Sequence, residues 1–428
     1  MLRLTSTTRW VIFAIIALAC SALTVAAAKY AVADYWEQSS NPALWLRAAE
    51  IEPSNAGNWY RLGRYRQLDF ENSDLPLAIS YYERAVRIDP GASSVWLDLG
   101  SAYETAGDLA RADQAYRKAQ EDYPISSQVA WEYGNFLLRQ NRTQQAFQQI
   151  RRAVSVSPAL TPLAVSRCWR GTQDIDQILQ FALPATPEAY WGAIEFFVRA
   201  DLPVPATAVW KRLAADKTSF PISNAFPMLD LLVRSGDAED ARVVWQQALS
   251  SAAIAPEYSP AGSLIWNGGF EHDLLNGGLA WQYKTVAGAT MSLDQETFHS
   301  GNRSLRVVFD GSANVDFSNL WQYVVVEPNT HYRFSVYMRA DDLTTDSGIR
   351  FEVYDLKQAK MAATTTNVVG TQAWTLAQAD LTTGRETHLL QIALRRFQST
   401  MLGNKIRGAG WVDDASLVPL PASSPDAK

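Results

Sequence analysis

The stretch WLDLGSAYETAGDLARADQAYRKAQEDYP, residues 96–124, decides the fold of the first half of the chain. Its small residues and its proline recur 34 positions later: Gly100 as Gly134, Ala112 as Ala146, Ala119 as Ala153 and Pro124 as Pro158. A fixed period of this length indicates a repeated pair of helices in which each pair stacks on the next. Small residues belong where the two helices touch, and proline follows the second helix because it cannot continue it.

Related units flank this stretch. The preceding unit has a few extra residues around Phe70–Pro76, and Asn41–Pro53 reads as the second helix of a partial first repeat. The preceding unit contains Trp59, Leu62, Gly63, Ala78, Tyr82, Ala85 and Pro90. Thr161–Pro187 matches no unit clearly, but Ala206, Trp210 and Leu213 recur 35 positions later as Ala241, Trp245 and Ala248. We therefore predict an all-α solenoid of about five or six helical hairpins over residues 41–255.

The residue order of the clearest unit resembles the tetratricopeptide repeat. Its matching positions are Trp96, Leu99, Gly100, Tyr103, Ala112, Tyr116, Ala119 and Pro124. The resemblance implies a surface that binds a protein partner, since a solenoid exposes many residues that need not pack. No position is assigned to the family's peptide-carboxylate clamp. We interpret Trp45, Trp59, Trp96 and Trp131 as packing residues.

An apolar segment near the N-terminus predicts membrane insertion. Val11–Ala28 is 18 residues long and contains no charge. At 1.5 Å per residue it reaches roughly 27 Å, close to the thickness of a bilayer core. Arg3 and Arg9 precede it, so the positive-inside rule places residues 1–10 in the cytoplasm. We predict a single-pass inner-membrane protein whose bulk is exported to the periplasm.

Two alternatives to a retained transmembrane helix at 11–28 stay open. Ala26-Ala27-Ala28 would serve as a signal-peptide cleavage site, and Cys20 would be the modified residue of a lipoprotein. Each alternative also exports the bulk of the chain.

The sequence pattern changes between residues 262 and 420. Short segments that alternate apolar and polar residues replace the helical pattern, among them Tyr332–Arg339, Ile349–Asp355 and Leu389–Arg396. A period of two separated by Gly, Asn and Asp is typical of strands, and many short strands predict a β-sandwich. We expect residues 421–428 to form a disordered tail.

An ordered set of motifs runs through this second region and resembles the galactose-binding-like jelly roll of carbohydrate-binding modules attached to xylanases. The motifs are Asn267-Gly268-Gly269-Phe270-Glu271, Trp281, residues 299–307, residues 321–324, residues 328–335 and residues 411–417. The predicted fold class is therefore multidomain, with a transmembrane helix, an all-α solenoid and an all-β jelly-roll sandwich.

The resemblance implies two sites. A structural Ca²⁺ often joins the first and last strands in that family, and the matching carboxylates are Glu271 and Asp414, with Asp413 as a further candidate. These acids would otherwise cap turns. A sugar would bind to the polar strand face, where aromatic rings stack on it and polar groups bond its hydroxyls. The residues predicted there are Trp321, Tyr323, Tyr337, Arg339, Arg350, Tyr354, Gln391 and Arg395.

The arginines of this predicted face leave the kind of glycan open. They would suit an acidic polysaccharide through bidentate contacts to carboxylates. The alternative is an ordinary solvated sheet face with cross-strand pairs.

The sequence argues against several other functions. The net charge of −6 gives no general attraction to nucleic acid. Cys20 and Cys168 do not form a disulfide framework, and motifs for nucleophilic or metal-dependent hydrolysis are missing from the sequence. We therefore expect a non-enzymatic membrane-anchored envelope scaffold, with repeats that bind a protein and a jelly roll that binds a polysaccharide during its assembly or export. A purely structural interaction protein and a degenerate glycanase are the alternatives.

Overall fold

The computed structural model describes residues 6–255, 257–258 and 260–421, within which 14 α-helices precede ten β-strands. The chain divides into two compact units, residues 1–192 and residues 193–428, and each is described by itself. Residues 1–5 of the predicted cytoplasmic segment and residues 422–428 of the predicted tail lie outside the described residues.

The helices of the chain are α1 (Ser6–Glu37), α2 (Pro42–Ile51), α3 (Ala56–Leu68), α4 (Leu75–Ile88), α5 (Ser93–Thr105), α6 (Leu109–Asp122), α7 (Ser127–Arg139), α8 (Thr143–Val156), α9 (Thr161–Thr172), the single turn α10 (Ile175–Gln177), α11 (Pro187–Arg199), α12 (Pro203–Ala215), α13 (Phe226–Ser235) and α14 (Ala238–Ser251).

The first helix contains the predicted membrane segment. α1 is 32 residues long, and its length and composition would allow it to cross a bilayer. A signal sequence can meet the same requirements of length and composition. Its last turn packs against α2, and the Arg61 guanidinium of α3 donates a hydrogen bond to the carbonyl of Glu37. The apolar segment is therefore part of the same continuous helix whose last turn packs against α2 in the first unit.

Glycines lie where the paired helices of the repeats make contact. A Cβ on Gly63 of α3 would come within 2.6 Å of the Tyr82 ring of α4, and one on Gly100 would meet Tyr116 at 3.1 Å. Gly107 ends α5 with a positive φ of 81°, and Asp108 caps α6 by accepting the backbone N–H of Arg111. These contacts explain the residue types that recur at the 34-residue period.

The strands are β1 (Gln282–Tyr283), β2 (Ala289–Asp294), β3 (Ser304–Asp310), β4 (Phe317–Val325), β5 (His331–Leu343), β6 (Arg350–Asp355), β7 (Lys360–Thr364), β8 (Gly370–Thr382), β9 (Leu389–Arg396) and β10 (Arg407–Pro419).

These strands form two antiparallel sheets. We call the sheet β1-β4-β9-β6-β7 the front sheet and the sheet β2-β3-β10-β5-β8 the back sheet. Alternate residues of each strand are buried in a shared core, where Phe351 of the front sheet lies 5.3 Å from Phe334 of the back sheet between ring centres. The predicted fold class, helical repeats followed by a β-sandwich, is confirmed.

Candidate functional site

Three of the predicted sugar-binding residues form one row across the outer face of the front sheet. Gln391 of β9 pairs with Tyr323 of β4 on one side and with Tyr354 of β6 on the other. Neighbouring strands lie about 4.8 Å apart, so the two tyrosines stand roughly 10 Å apart with the amide between them. All three side chains are half-buried. The row offers two aromatic groups and an amide that can both donate and accept hydrogen bonds.

The next row of the same face has a small side chain at its centre. Ala393 pairs with Trp321 on one side and Glu352 on the other, and its methyl group is far shorter than either neighbour. The ammonium of Lys284 lies 5.5 Å from the centre of the Trp321 ring. The face therefore dips between an indole and a carboxylate, a shape that suits a ring-shaped polar ligand.

Both predicted arginines of this face lie near carboxylates, but only Arg395 donates a hydrogen bond to one. Arg395 donates to Asp316 at 2.9 Å and lies 3.4 Å from Glu352, whose other oxygen is 3.9 Å from Nε of Arg350. Both guanidinium groups lie 4.4 Å from the ring centre of Phe397. Because two carboxylates hold Arg395, this arrangement favours a neutral ligand over an acidic one at its position.

A helix borders one end of the front sheet. Phe226, the first residue of α13, packs on Gly277, where a Cβ would clash with its ring at 2.2 Å. At the other end of α13, Ser235 lines a cavity of about 500 Å³ together with Leu389 of β9 and Lys357, which follows β6. α13 therefore passes beside the ends of strands that carry the two rows.

Asp230 lies midway along α13 and is exposed. Burial raises the pKa of the Tyr323 hydroxyl, and the nearby negative charge of Asp230 raises that pKa further. The helical part of the second unit thus places a carboxylate within electrostatic reach of Tyr323.

The prediction of a single polar face is wrong for Tyr337 and Arg339. Both lie in β5, which pairs with β8 and β10 in the back sheet, whereas the other six predicted residues lie in the front sheet. Strands β5 and β6 follow each other in sequence but enter different sheets. The two residues therefore face the opposite side of the sandwich.

The predicted calcium ligands hold a loop. Asp413 is fully buried, and its Oδ2 accepts the backbone N–H groups of His299 at 2.7 Å and Ser300 at 3.2 Å. Burial raises the pKa of the Asp413 carboxyl to about 6, although these two hydrogen bonds act to lower it. The loop that Asp413 anchors therefore stabilises the charged form of this carboxyl through its two backbone N–H groups.

Asp414 and Glu271 bind the same loop from either side. Oδ2 of Asp414 lies 2.6 Å from Nδ1 of His299, and its Oδ1 accepts the Ser300 hydroxyl at 2.7 Å. Oε1 of Glu271 accepts the backbone N–H of Asn302 at 2.8 Å. The three acids from the two ends of the domain thus converge on residues 299–303.

The fit of these acids to Ca²⁺ is incomplete. A Cβ on Gly269 would lie 3.7 Å from Oδ1 of Asp414 and 4.0 Å from Oδ1 of Asp413, so the carboxylates are close neighbours, and their oxygens are the donor type that Ca²⁺ prefers. In the part of the chain that the structure describes, however, no group of three or more His, Cys, Asp or Glu residues is arranged to hold a metal ion. Glu271, Asp413 and Asp414 as calcium ligands stay a prediction.

Family models match both halves of the chain. The tetratricopeptide repeat model matches residues 67–124 and 97–162, and the carbohydrate binding domain model matches residues 262–395. The chain carries tetratricopeptide repeats and a carbohydrate-binding domain. Both families are non-catalytic, and they suggest protein–protein interaction and carbohydrate binding.

Solved structures are similar to parts of the chain. The tetratricopeptide repeat protein YrrB, described with an unusual peptide-binding site, is 13% identical with a TM-score of 0.27, and the match covers 49% of this chain and 92% of that one. MamA is 14% identical with a TM-score of 0.28, over 41% of this chain and 86% of that one.

A Clostridium thermocellum structure of the CBM22-1 and GH10 modules of endo-1,4-β-D-xylanase 10B, complexed with xylohexaose, is 13% identical with a TM-score of 0.25. That match covers 35% of this chain and 27% of the xylanase chain. At these identities and TM-scores no function is transferred from these structures. No curated protein matches the chain by sequence.

Sequence reasoning missed four features of the front face. Glu352 and Ala393 alternate in phase with the predicted residues of β6 and β9, so the period of two places them on the same face. Phe397 follows β9 directly, so the alternation of the strand does not predict the position of its ring. Asp230 lies about 90 residues before Tyr323, and only the packing of α13 brings it near.

Proposed function

We propose that the chain is a membrane-anchored, non-enzymatic scaffold of the cell envelope. Its tetratricopeptide repeats bind a protein partner, and the front face of its carbohydrate-binding domain binds a polysaccharide during assembly or export. The observation that carries the proposal is the front face itself, with aromatic side chains on β4 and β6 and with Gln391 and Ala393 of β9 between them. The apolar helix α1 supports anchoring by its length and composition. The proposal places the repeats on the exported side, as the positive-inside rule predicts.

The ion pairs of Arg395 narrow the class of ligand proposed for the front face. Glu352 and Asp316 occupy Arg395, so this guanidinium is not available to a sugar carboxylate without breaking those contacts. A neutral glycan needs only the aromatic faces and the amide. We therefore propose a neutral polysaccharide as the ligand of this face.

Trp321→Ala is expected to weaken neutral glycan binding at least about tenfold, because a central tryptophan is the commonest kind of binding hot spot. The measurement is electrophoresis of detergent-solubilised full-length protein in gels with and without soluble xylan or mixed-linkage β-glucan. Leu376→Ala is the matched control, since Leu376 is 43% exposed on the back sheet. Unretarded migration of the wild type in every neutral gel would remove the carbohydrate half of the proposal.

Calcium is expected to raise the unfolding midpoint of the protein. At ten times its dissociation constant a single bound ion would add about 1.4 kcal/mol to the free energy of unfolding. The midpoint is measured in EDTA and in about 5 mM CaCl₂, a concentration that fills the weaker extracellular class of sites. Asp414→Asn, which removes one of the three converging charges, should abolish the shift. Equal wild-type midpoints in EDTA and calcium would reject the metal site.

A purely structural interaction protein is the second candidate. It is favoured by the packing of α13 and α14 on the carbohydrate-binding domain, where the Trp245 and Trp266 rings meet edge to face at 5.6 Å. In such a protein the sandwich would cover the last helices of the helical region and would bind no sugar. Tight association of the two parts without retardation in any glycan gel would select it.

A further inference from the structure

The outer face of the back sheet carries an indole between two arginines. Trp411 of β10 pairs with Arg306 of β3 on one side and Arg339 of β5 on the other. The guanidinium carbons lie 5.3 Å and 5.4 Å from the ring centre, so both cations contact the indole. Trp411 is only 6% exposed and donates its Nε1–H to Asp294 at 2.7 Å. The indole therefore forms a fixed base under the two guanidinium groups.

The hydrogen-bonding edges of these two arginines are left without acceptors. Contact with an aromatic ring occupies the face of a guanidinium and leaves its in-plane N–H donors free. Nε of Arg306 is buried without a hydrogen-bond partner, and the carboxylate of Asp294 is 4.0 Å away. Arg339 makes no hydrogen bond or ion pair with any residue that the structure describes. A buried or half-buried donor without an acceptor is costly, so these edges favour an acceptor from outside the chain.

Two other arginines of the same domain differ in this respect. Arg333 lies on the same strand and the same face as Arg339, yet it donates to both oxygens of Asp380 at 2.7 Å. On the front sheet, Arg395 donates to Asp316 at 2.9 Å. Arg350 of the front sheet resembles Arg306, since its Nε is also buried without a hydrogen-bond partner and lies 3.9 Å from Glu352. Arg339 differs from both, because none of the described carboxylates pairs with it.

Aromatic rings lie beside the free donors. Tyr337 is two residues before Arg339 on the same face, and its ring stacks on His299 with centres 3.5 Å apart. The Trp374 ring meets His299 edge to face at 5.8 Å and is half-buried. The charge of Asp414 is engaged by His299. An aromatic surface and two guanidinium groups without hydrogen-bond acceptors therefore adjoin each other on the back sheet.

We infer that the outer face of the back sheet is a second binding site, specific for the carboxylate-bearing sugars of an acidic polysaccharide. The free edges of Arg306 and Arg339 take uronate carboxylates in the planar geometry that suits a guanidinium, and Trp374 and Tyr337 line the sugar ring. The inference rests on the carbohydrate-binding function proposed above but concerns the opposite sheet. With a net charge of −6 the chain as a whole repels polyanions, so this binding must arise from local contacts.

The test uses the full-length protein in detergent with two probes, hexagalacturonate and xylohexaose, measured by titration calorimetry. Arg306→Gln together with Arg339→Gln should weaken hexagalacturonate binding about tenfold or more, because hydrogen bonds to charged groups are lost, and should leave xylohexaose binding unchanged. Arg333→Gln is the matched control and should bind hexagalacturonate like the wild type. Arg339→Gln alone gives a second measurement, since Arg339 has no internal hydrogen bond whose loss would unfold the domain.

The possible outcomes separate the two proposals. Hexagalacturonate binding that survives in the double variant, or that is absent from the wild type while xylohexaose binds, overturns the back-sheet site and leaves the front face intact. Loss of hexagalacturonate binding in Trp321→Ala but not in the double variant would show that acidic glycans bind to the front face. That result would also overturn the back-sheet site. If the wild type binds neither probe, the back-sheet site and the carbohydrate-binding function fall together.

Discussion

Replacing Arg396 by leucine is expected to lower the free energy of unfolding of the 193–428 unit by at least about 3 kcal/mol, because several buried acceptors would lose their donor at once. Arg396 has no exposed surface and ends β9. Its guanidinium donates to five acceptors in three loops: the carbonyls of Ser347, Val315 and Asn404, Oδ1 of Asn314 and Oγ1 of Thr345. No carboxylate is among these partners, and burial lowers the pKa of the guanidinium.

The consequence should extend to the front face. The loops that Arg396 joins include residues 314–316, which hold Asp316, and residues 397–404, which begin with Phe397. Loss of the arginine would therefore free two partners of Arg395, Asp316 and Phe397, and weaken neutral glycan binding as well as stability. Urea unfolding followed by near-ultraviolet circular dichroism measures the first effect.

A surface arginine provides the control for this prediction. Arg407 is 66% exposed and pairs with Asp342 at 2.8 Å, so Arg407→Leu should cost less than about 1 kcal/mol. Arg396→Lys keeps the charge but loses the planar fork, and an intermediate loss is expected. Equal unfolding midpoints for Arg396→Leu and Arg407→Leu would contradict the role given to Arg396.

Trp245→Ala should cost about 3–5 kcal/mol and separate the last helices from the sandwich. Trp245 of α14 is 1% exposed and meets Trp266 edge to face. It also lies against Gly278, where a Cβ would come within 3.0 Å of its ring. Trp266 continues the contact into the front sheet, since Nε2 of Gln322 in β4 donates to its carbonyl at 3.0 Å. Removing the indole leaves a cavity at the centre of this chain of contacts.

Cleavage between Ser250 and Gly262 measures the association directly. The wild-type fragments are expected to co-elute in gel filtration, because residues 193–428 form one compact unit. The Trp245→Ala fragments should separate. Val204→Ala is the control, since Val204 is 77% exposed on α12 and its loss should change stability by no more than about 0.5 kcal/mol. Separation of the wild-type fragments would show that the helices and the sandwich associate only through the intact chain.

The repeats and the strands could be predicted because both leave a short period in the sequence. Gly63, Gly100 and Gly134 recur where paired helices touch, and a larger side chain at any of them meets its partner helix. In β9 the buried residues Leu390, Ile392 and Leu394 alternate with the half-buried residues of the front face. Alternation therefore identified the outward side of each strand, and six of the eight predicted sugar-binding residues share the front sheet.

The sequence by itself determined three features: which side of each strand is buried, the helical repeats and the apolar first helix. Each of them leaves a regular pattern along the chain. The tertiary structure decided which strands share a sheet. It moved Tyr337 and Arg339 to the back sheet beside Trp411, because β5 pairs with β10 rather than with β6. It also brought Asp230 of α13 within electrostatic reach of Tyr323. Strand order and helix docking depend on contacts between distant residues, and no period along the chain records them.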